Sequence, residues 1–444
     1  MSDTASKIVS RIHQYQWPSL DKQHLVYEDV APVIDSLTTH SRISQAIIGK
    51  SFNGVPIHRL TLGNGPLTVL AWTQMHGDEP TASAAVLDLL AMLSDSGCDD
   101  LVGESWLSHI TLHVIPMLNP DGATQRTREN AQGIDINRDA QALQTPEGRV
   151  LHQQVSELCP DIGFNLHDQS PYYAAGSSKK PATLSFLAPP FNIAGDVDAT
   201  RLRAKQLIAA MHHAVGPCRP GQFGRYDDTY AQRCFGDTIA ARGVSTILIE
   251  SGADYNDPHR QTARSLNTLA LLTAMNACIT KDYQRFSLDD YYAIAENKED
   301  GLCDVLLKNV IQVSHSGEKY QCDIAVNSSA HDHARIVATG DLSELGSFNA
   351  IDCEGLTLCK PKGFIVGHDN IITCEKYRTL LSQGYNHLIC RHDNAEIETD
   401  FPAFIRTSPL PGQVGPLPGH PAFLVLRNEK GPCCALLSTQ WLTF

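Results

Sequence analysis

The chain has 444 residues, of which 42% are hydrophobic and 19% are charged. This length exceeds that of one ordinary domain, and the composition is that of a folded protein rather than a disordered one. The formal net charge of −14 argues against nucleic-acid binding, which requires a basic surface. We therefore expect a globular protein with two domains, or with one large domain and an appendage.

The sequence also predicts the cellular compartment in which the protein resides. No run of about 20 apolar residues predicts a membrane span, and residues 1–17 lack the apolar segment of a secretion signal. The thirteen cysteines are scattered and odd in number, which favours free thiols over a disulfide framework. We expect a cytoplasmic protein that binds neither membranes nor nucleic acid; its oligomeric state stays open.

The chain divides into three parts by its hydrophobic pattern. We expect residues 1–45 to form a helical extension packed on a catalytic domain of residues 46–282. In that domain apolar strand-like runs alternate with helical patterns, which predicts an α/β sheet with helices on both faces. Residues 283–444 contain short β-rich runs separated by Gly, Pro, Asn and Asp, which predicts a mostly-β accessory domain of unknown role.

A metal site is predicted where two strands end. His76 and Glu79 stand three residues apart in the segment "HGDE", at a strand-to-helix turn, and His167 ends a different strand. Ligand sites in such sheets form at the carboxyl ends of strands. Two histidines and one carboxylate, with a fourth position for water, are the ligands of a catalytic zinc ion. A His-x-x-Glu pair alone is common by chance, so the inference depends on the whole cluster.

The apolar strand at 244–250 ends in Glu250, which we expect at the same edge of the sheet. A carboxylate there could accept a proton from a water molecule at the metal, and apolar neighbours would raise its pKa towards that task. The alternative is a structural role, in which Glu250 caps a helix or pairs with an arginine.

The polar loop at 119–139 is unusually rich in arginine. It contains Asn137 and three arginines, Arg126, Arg128 and Arg138. Arginines near a metal can bind a substrate carboxylate through two hydrogen bonds and stabilise an oxyanion. The alternative for Arg138 is that it braces the loop against Asp135 or Asp139.

Together, "HGDE", "NPDG", "RENAQGIDINRD", the strand end at His167 and Glu250 resemble the zinc carboxypeptidases, the M14 metallopeptidases of carboxypeptidase A type, over residues 45–280. The resemblance implies a mixed central sheet flanked by helices and one Zn²⁺ per chain. It implies that Glu250 is the general base for a zinc-activated water and that Arg128 polarises the scissile carbonyl. It also implies that the zinc ligands are His76, Glu79 and His167. The pair implied to bind the substrate's terminal carboxylate is Asn137 and Arg138.

The resemblance leaves the substrate open. It implies hydrolysis of a C-terminal peptide or isopeptide bond in a substrate with a free carboxylate. A substrate-capping tyrosine is expected upstream of Glu250, where Tyr230 is preferred and Tyr226 is the alternative. The related acylases, similar to succinylglutamate desuccinylase and aspartoacylase, make an N-acyl amino acid deacylase the alternative activity. A second alternative is a protein that is not an enzyme, namely a catalytically silent peptide-binding protein.

Overall fold

The structure is a computed structural model that describes residues 8–39, 42–95, 106–329, 333–367, 371–391, 396–410 and 415–444. The chain forms two compact units, Met1–Glu299 and Asp300–Phe444. The boundary predicted at 282/283 therefore precedes the observed division. Among the described residues, no helix combines the length and the apolar character needed to cross a membrane.

In the part of the first unit that the structure describes there are ten strands and nine α-helices, and residues 8–12 are also helical. The strands are β1 Ile43–Lys50, β2 Pro56–Gly63, β3 Leu67–Thr73, β4 Ile110–Ile115, β5 Ile162–Asp168, β6 Ala174–Ala175, β7 Leu184–Leu187, β8 Phe223–Arg225, β9 Ser245–Ser251 and β10 Asn297–Lys298. The helices are α1 Tyr27–Thr38, α2 Thr81–Ser94, α3 Trp106–His109, α4 Pro120–Gln125, α5 Pro146–Leu158, α6 Ala199–Val215, α7 Phe235–Ala240, α8 Gln261–Thr280 and α9 Leu288–Tyr292.

Eight of these strands form one mixed sheet in the order β1-β2-β4-β3-β5-β9-β7-β8. Its centre, β4-β3-β5-β9, is parallel, whereas β1, β2 and β7 bring in antiparallel pairings. Because side chains alternate along a strand, the sheet buries one core on each face. Val69, Phe164 and Ile247 belong to one core, and Leu70 and Trp72 belong to the other. This architecture confirms the predicted α/β fold with a mixed central sheet.

Two helices on the first face of the sheet are joined by a buried ion pair. The Arg264 guanidinium on α8 donates to both oxygens of Asp88 on α2, at 2.6 and 2.7 Å. Asp88 also accepts from the backbone N–H of Trp17, at 3.1 Å. Both charged side chains are almost fully buried, so each depends on the other to offset the loss of solvent.

The second unit is β-rich, as predicted. Its main sheet is formed by β11 Leu302–Val313, β12 Lys319–Asn327, β13 Arg335–Gly340, β14 Gly346–Asp352, β15 Thr357–Leu358, β21 Phe423–Asn428, β22 Gly431–Leu437 and β23 Gln440–Thr443. A small parallel sheet of β16 Gly363–Val366, β18 His387–Cys390 and β20 Ile405–Arg406 accompanies α10 Cys374–Ser382. A third sheet in this unit consists of two parallel strands, β17 Ile372–Thr373 and β19 Ile397–Glu398.

Candidate metal centre

The loop between β3 and α2 carries the first two predicted ligands. His76 and Glu79 lie in this loop, close to the backbone of α4. Only glycine fits at Gly77, because a Cβ there would lie 1.9 Å from the carbonyl carbon of Gly122. Asn119 fixes the same region by accepting from Gly122 N–H and donating to the Met75 carbonyl. The "NPDG" segment therefore secures the loop that presents the ligands.

The structure brings His76, Glu79 and His167 together. His76 Nδ1 lies 2.7 Å from one oxygen of Glu79, and His167 Nδ1 lies 2.8 Å from the other. The two Nδ1 atoms are 3.2 Å apart. Among the residues that the structure describes, these three form the one cluster of His, Cys, Asp or Glu with ligand atoms within 4.8 Å of one another.

This arrangement fits a zinc ion. Ligand atoms about 2.1 Å from a tetrahedral ion lie roughly 3.4 Å apart, close to the separations seen here. All three side chains are buried, and the two imidazoles present the same ring nitrogen to the carboxylate. Two histidines and one carboxylate are a donor set that zinc prefers, and they leave a fourth position open.

Asp135 supports the cluster from behind, a role that sequence reasoning missed. Its Oδ1 lies 3.2 Å from His76 Nε2 and accepts from Asn137 N–H at 2.8 Å. Its Oδ2 accepts from Arg128 Nε at 3.0 Å. A carboxylate on the outer nitrogen of a ligating histidine fixes the ring and its tautomer. The sequence pattern that could have indicated this role is the Asp-x-Asn spacing of Asp135 and Asn137 in the segment "RENAQGIDINRD".

The charges in the cluster shift the pKa values of its members. Burial opposes ionisation of Glu79, but His167 and His76 outweigh it and hold its pKa well below the usual range. Burial likewise opposes ionisation of Asp135, whereas His76 and Arg128 lower its pKa. Burial lowers the pKa of His167. Glu79 is therefore held as a carboxylate, the form that binds a metal.

Glu250 lies on the strand next to His167. The two residues are register partners on the parallel strands β5 and β9, so their side chains leave the same face of the sheet. Burial raises the pKa of Glu250 well above its ordinary value, and the negative charges of Glu79 and Asp168 raise it further. A carboxylate whose pKa is raised accepts a proton more readily than an ordinary glutamate does.

The two arginines Arg128 and Arg138 have different surroundings. Arg128 Nη1 lies 3.1 Å from His76 Nδ1 and 3.5 Å from Glu79 Oε1, at the edge of the cluster. Arg138 does not brace the loop through the contacts described: its Nη1 donates to the Asn137 carbonyl and to Cys234 Sγ, and its side chain is exposed. Asn137 Oδ1 accepts from Phe235 N–H at 3.0 Å.

The two candidate tyrosines occupy different surroundings. The Tyr226 hydroxyl donates to Gln169 Oε1 at 2.8 Å, and burial together with the charge of Glu250 raises its pKa. Tyr230 lies four residues later and is partly exposed. Of the two candidates, Tyr226 is the one whose hydroxyl is held by Gln169, whereas the preferred role of Tyr230 stays a prediction. Gln169 was not anticipated from the sequence.

One part of the chain matches a protein-family model. The model of the zinc carboxypeptidases matches residues 32–159. Over these residues the chain is similar to the zinc carboxypeptidases. The resemblance predicted from the sequence is confirmed. The matched segment holds His76, Glu79, Asn137 and both arginines of the site, whereas His167 and Glu250 lie beyond it.

Curated relatives are similar over a limited part of this chain. Carboxypeptidase SOL1 of Arabidopsis thaliana is 32% identical over 132 residues, which cover 28% of this chain and 27% of that protein. Carboxypeptidase 2 of Trichophyton tonsurans is 28% identical over 110 residues, which cover 24% of this chain and 20% of that protein. The similarity thus spans about a quarter of the relatives' own length.

Solved carboxypeptidase structures are also similar to this chain. A metallo-carboxypeptidase from Burkholderia cenocepacia gives a TM-score of 0.47 at 18% identity, covering 59% of this chain and 70% of that one. Carboxypeptidase A from Helicoverpa armigera gives a TM-score of 0.46 at 15% identity, covering 63% of this chain and 79% of that one.

Proposed function

We propose that this protein is a zinc-dependent metallocarboxypeptidase that hydrolyses a C-terminal peptide or isopeptide bond. The observation that carries the proposal is the convergence of His76, Glu79 and His167 within 4.8 Å, beside Glu250 and Arg128. These three side chains would hold the Zn²⁺. When bound, the ion would act as a Lewis acid that lowers the pKa of water and polarises a carbonyl.

Glu250 would carry the proton. Its raised pKa supports this role, because a more basic carboxylate accepts a proton more readily. The carboxylate would take a proton from water as the water oxygen attacks the carbonyl carbon. It would then give that proton to the leaving nitrogen as the C–N bond breaks.

Arg128 would stabilise the oxyanion that forms on the substrate. Its guanidinium reaches the edge of the cluster, and Asp135 fixes its orientation through Nε. A donor held in place before the reaction costs little reorganisation in the transition state. Arg138 is exposed and adjoins Asn137, which supports a role in binding a free terminal carboxylate.

A matched peptide pair tests the proposal. Zinc-loaded protein should release the C-terminal amino acid from a peptide with a free carboxylate and leave the C-terminally amidated peptide intact. The Glu250→Gln variant should bind zinc at full stoichiometry and lose nearly all turnover. Hydrolysis of N-acyl amino acids alone would favour the deacylase, and stoichiometric zinc with no turnover of any substrate would favour the binding protein.

A further inference from the structure

One buried amide beside the metal centre has no partner for either of its polar atoms. Asn165 lies on β5, two residues before His167, and is 1% exposed. Neither its Nδ2 nor its Oδ1 has a hydrogen-bond partner. Leaving a buried polar group unpaired costs about 1–3 kcal/mol, so such an atom in a native protein needs an explanation.

Asn165 lies on the same face of the sheet as the candidate metal site, because side chains alternate along β5. His167 and Asn165 leave the same face of β5, and Asn165 lies about 7 Å further from the strand end. Its register partner on β9 is Leu248, which stands two residues before Glu250. Asn165 therefore lies one layer below the pair formed by His167 and Glu250.

Two leucine side chains of this layer are partly exposed. Leu248 is partly exposed although its neighbours Ile247 and Ile249 are fully buried. Leu187, which pairs with Leu248 from β7, is also partly exposed. Two leucines thus supply apolar walls beside the amide of Asn165.

Asn165 also lies near a segment that contacts Asn137, one of the residues proposed to hold the terminal carboxylate. A Cβ on Gly236 would lie 3.5 Å from Asn165 Nδ2. The preceding residue, Phe235, donates its backbone N–H to Asn137 Oδ1. Asn165 therefore lies near the start of the helix that contacts Asn137, one of the residues proposed to bind the terminal carboxylate.

We propose that Asn165 is the specificity-determining residue for the last side chain of the substrate, and that it selects a neutral amide. The inference rests on the proposed function. An amide has both a donor and an acceptor, and its best complement is a second amide. The two leucines suit methylene groups, and glutamine has one more methylene group than asparagine to place against them.

Peptides that differ only in their C-terminal residue test this inference on the zinc-loaded full chain. We expect wild type to prefer C-terminal glutamine over leucine by about tenfold in kcat/KM, as two added hydrogen bonds allow. Asn165→Leu should abolish this preference. The matched control Thr246→Val changes a buried polar residue on the same face of β9, one layer deeper, and should keep the wild-type preference.

A binding measurement separates this inference from the proposed function. Calorimetry would compare free L-glutamine and L-leucine on zinc-loaded Glu250→Gln protein, with and without Asn165→Leu. Absence of any turnover in wild type would defeat the proposed function, while a glutamine preference in binding that requires Asn165 would still support the inference. The same preference with and without Asn165 would overturn the inference. Asn165→Ser provides the same comparison if Asn165→Leu does not fold.

Discussion

Replacing Asp135 with asparagine should weaken zinc binding without removing any ligand. The carboxylate of Asp135 meets three donors, His76 Nε2, Asn137 N–H and Arg128 Nε. An asparagine keeps one acceptor oxygen and turns an NH₂ group towards at least one of these donors. It also removes the negative charge that faces Arg128.

The magnitude follows from the position of the carboxylate behind a ligating histidine. Loss of such a partner typically costs 10–100-fold in metal affinity, or about 1.4–2.7 kcal/mol. Turnover at saturating zinc should fall as well, because Arg128 loses its anchor.

Zinc titration against a competing chelator measures this effect. Asp78→Asn is the matched control, because Asp78 is an exposed acid next to Glu79 in the chain. We expect the control to bind zinc as wild type does. A zinc affinity for Asp135→Asn within threefold of the control would refute the supporting role of Asp135.

Three further changes test other parts of the account. Arg138→Ala should reduce kcat/KM for peptides with a free C-terminal carboxylate by at least tenfold, and an unchanged value would remove Arg138 from substrate binding. Tyr226→Phe should impair turnover more than Tyr230→Phe, because only the Tyr226 hydroxyl is held by Gln169; the reverse order would restore Tyr230. Arg264→Met should destabilise the fold by about 3–5 kcal/mol, because it leaves the Asp88 carboxylate buried without its partner. Denaturant unfolding measures that loss, and a change below about 1 kcal/mol would contradict it.

Several features of the site follow directly from sequence pattern. The alternation of strands and helices predicts which residues follow each strand, and parallel strands deliver those residues to one edge of the sheet. His76, Glu79, His167 and Glu250 meet there for this reason. The ligand positions could be predicted because they depend on strand ends rather than on detailed packing.

Other features depend on contacts between segments that are distant in the sequence. The link from Asp135 to His76 joins residues 59 apart, and the Tyr226 hydroxyl meets a residue 57 positions earlier. No local pattern selects Tyr226 over Tyr230. Short β-rich runs were expected in the second unit, but their parallel pairing around α10 was not, because it joins segments that are distant in the sequence.

The most direct test of the central claim is zinc content measured together with hydrolysis on one purified preparation. We predict one zinc per chain, and release of free C-terminal amino acids from a mixed peptide pool that a chelator abolishes and added zinc restores. No bound zinc after reconstitution, or release that persists at full rate after complete removal of the metal, would contradict the account.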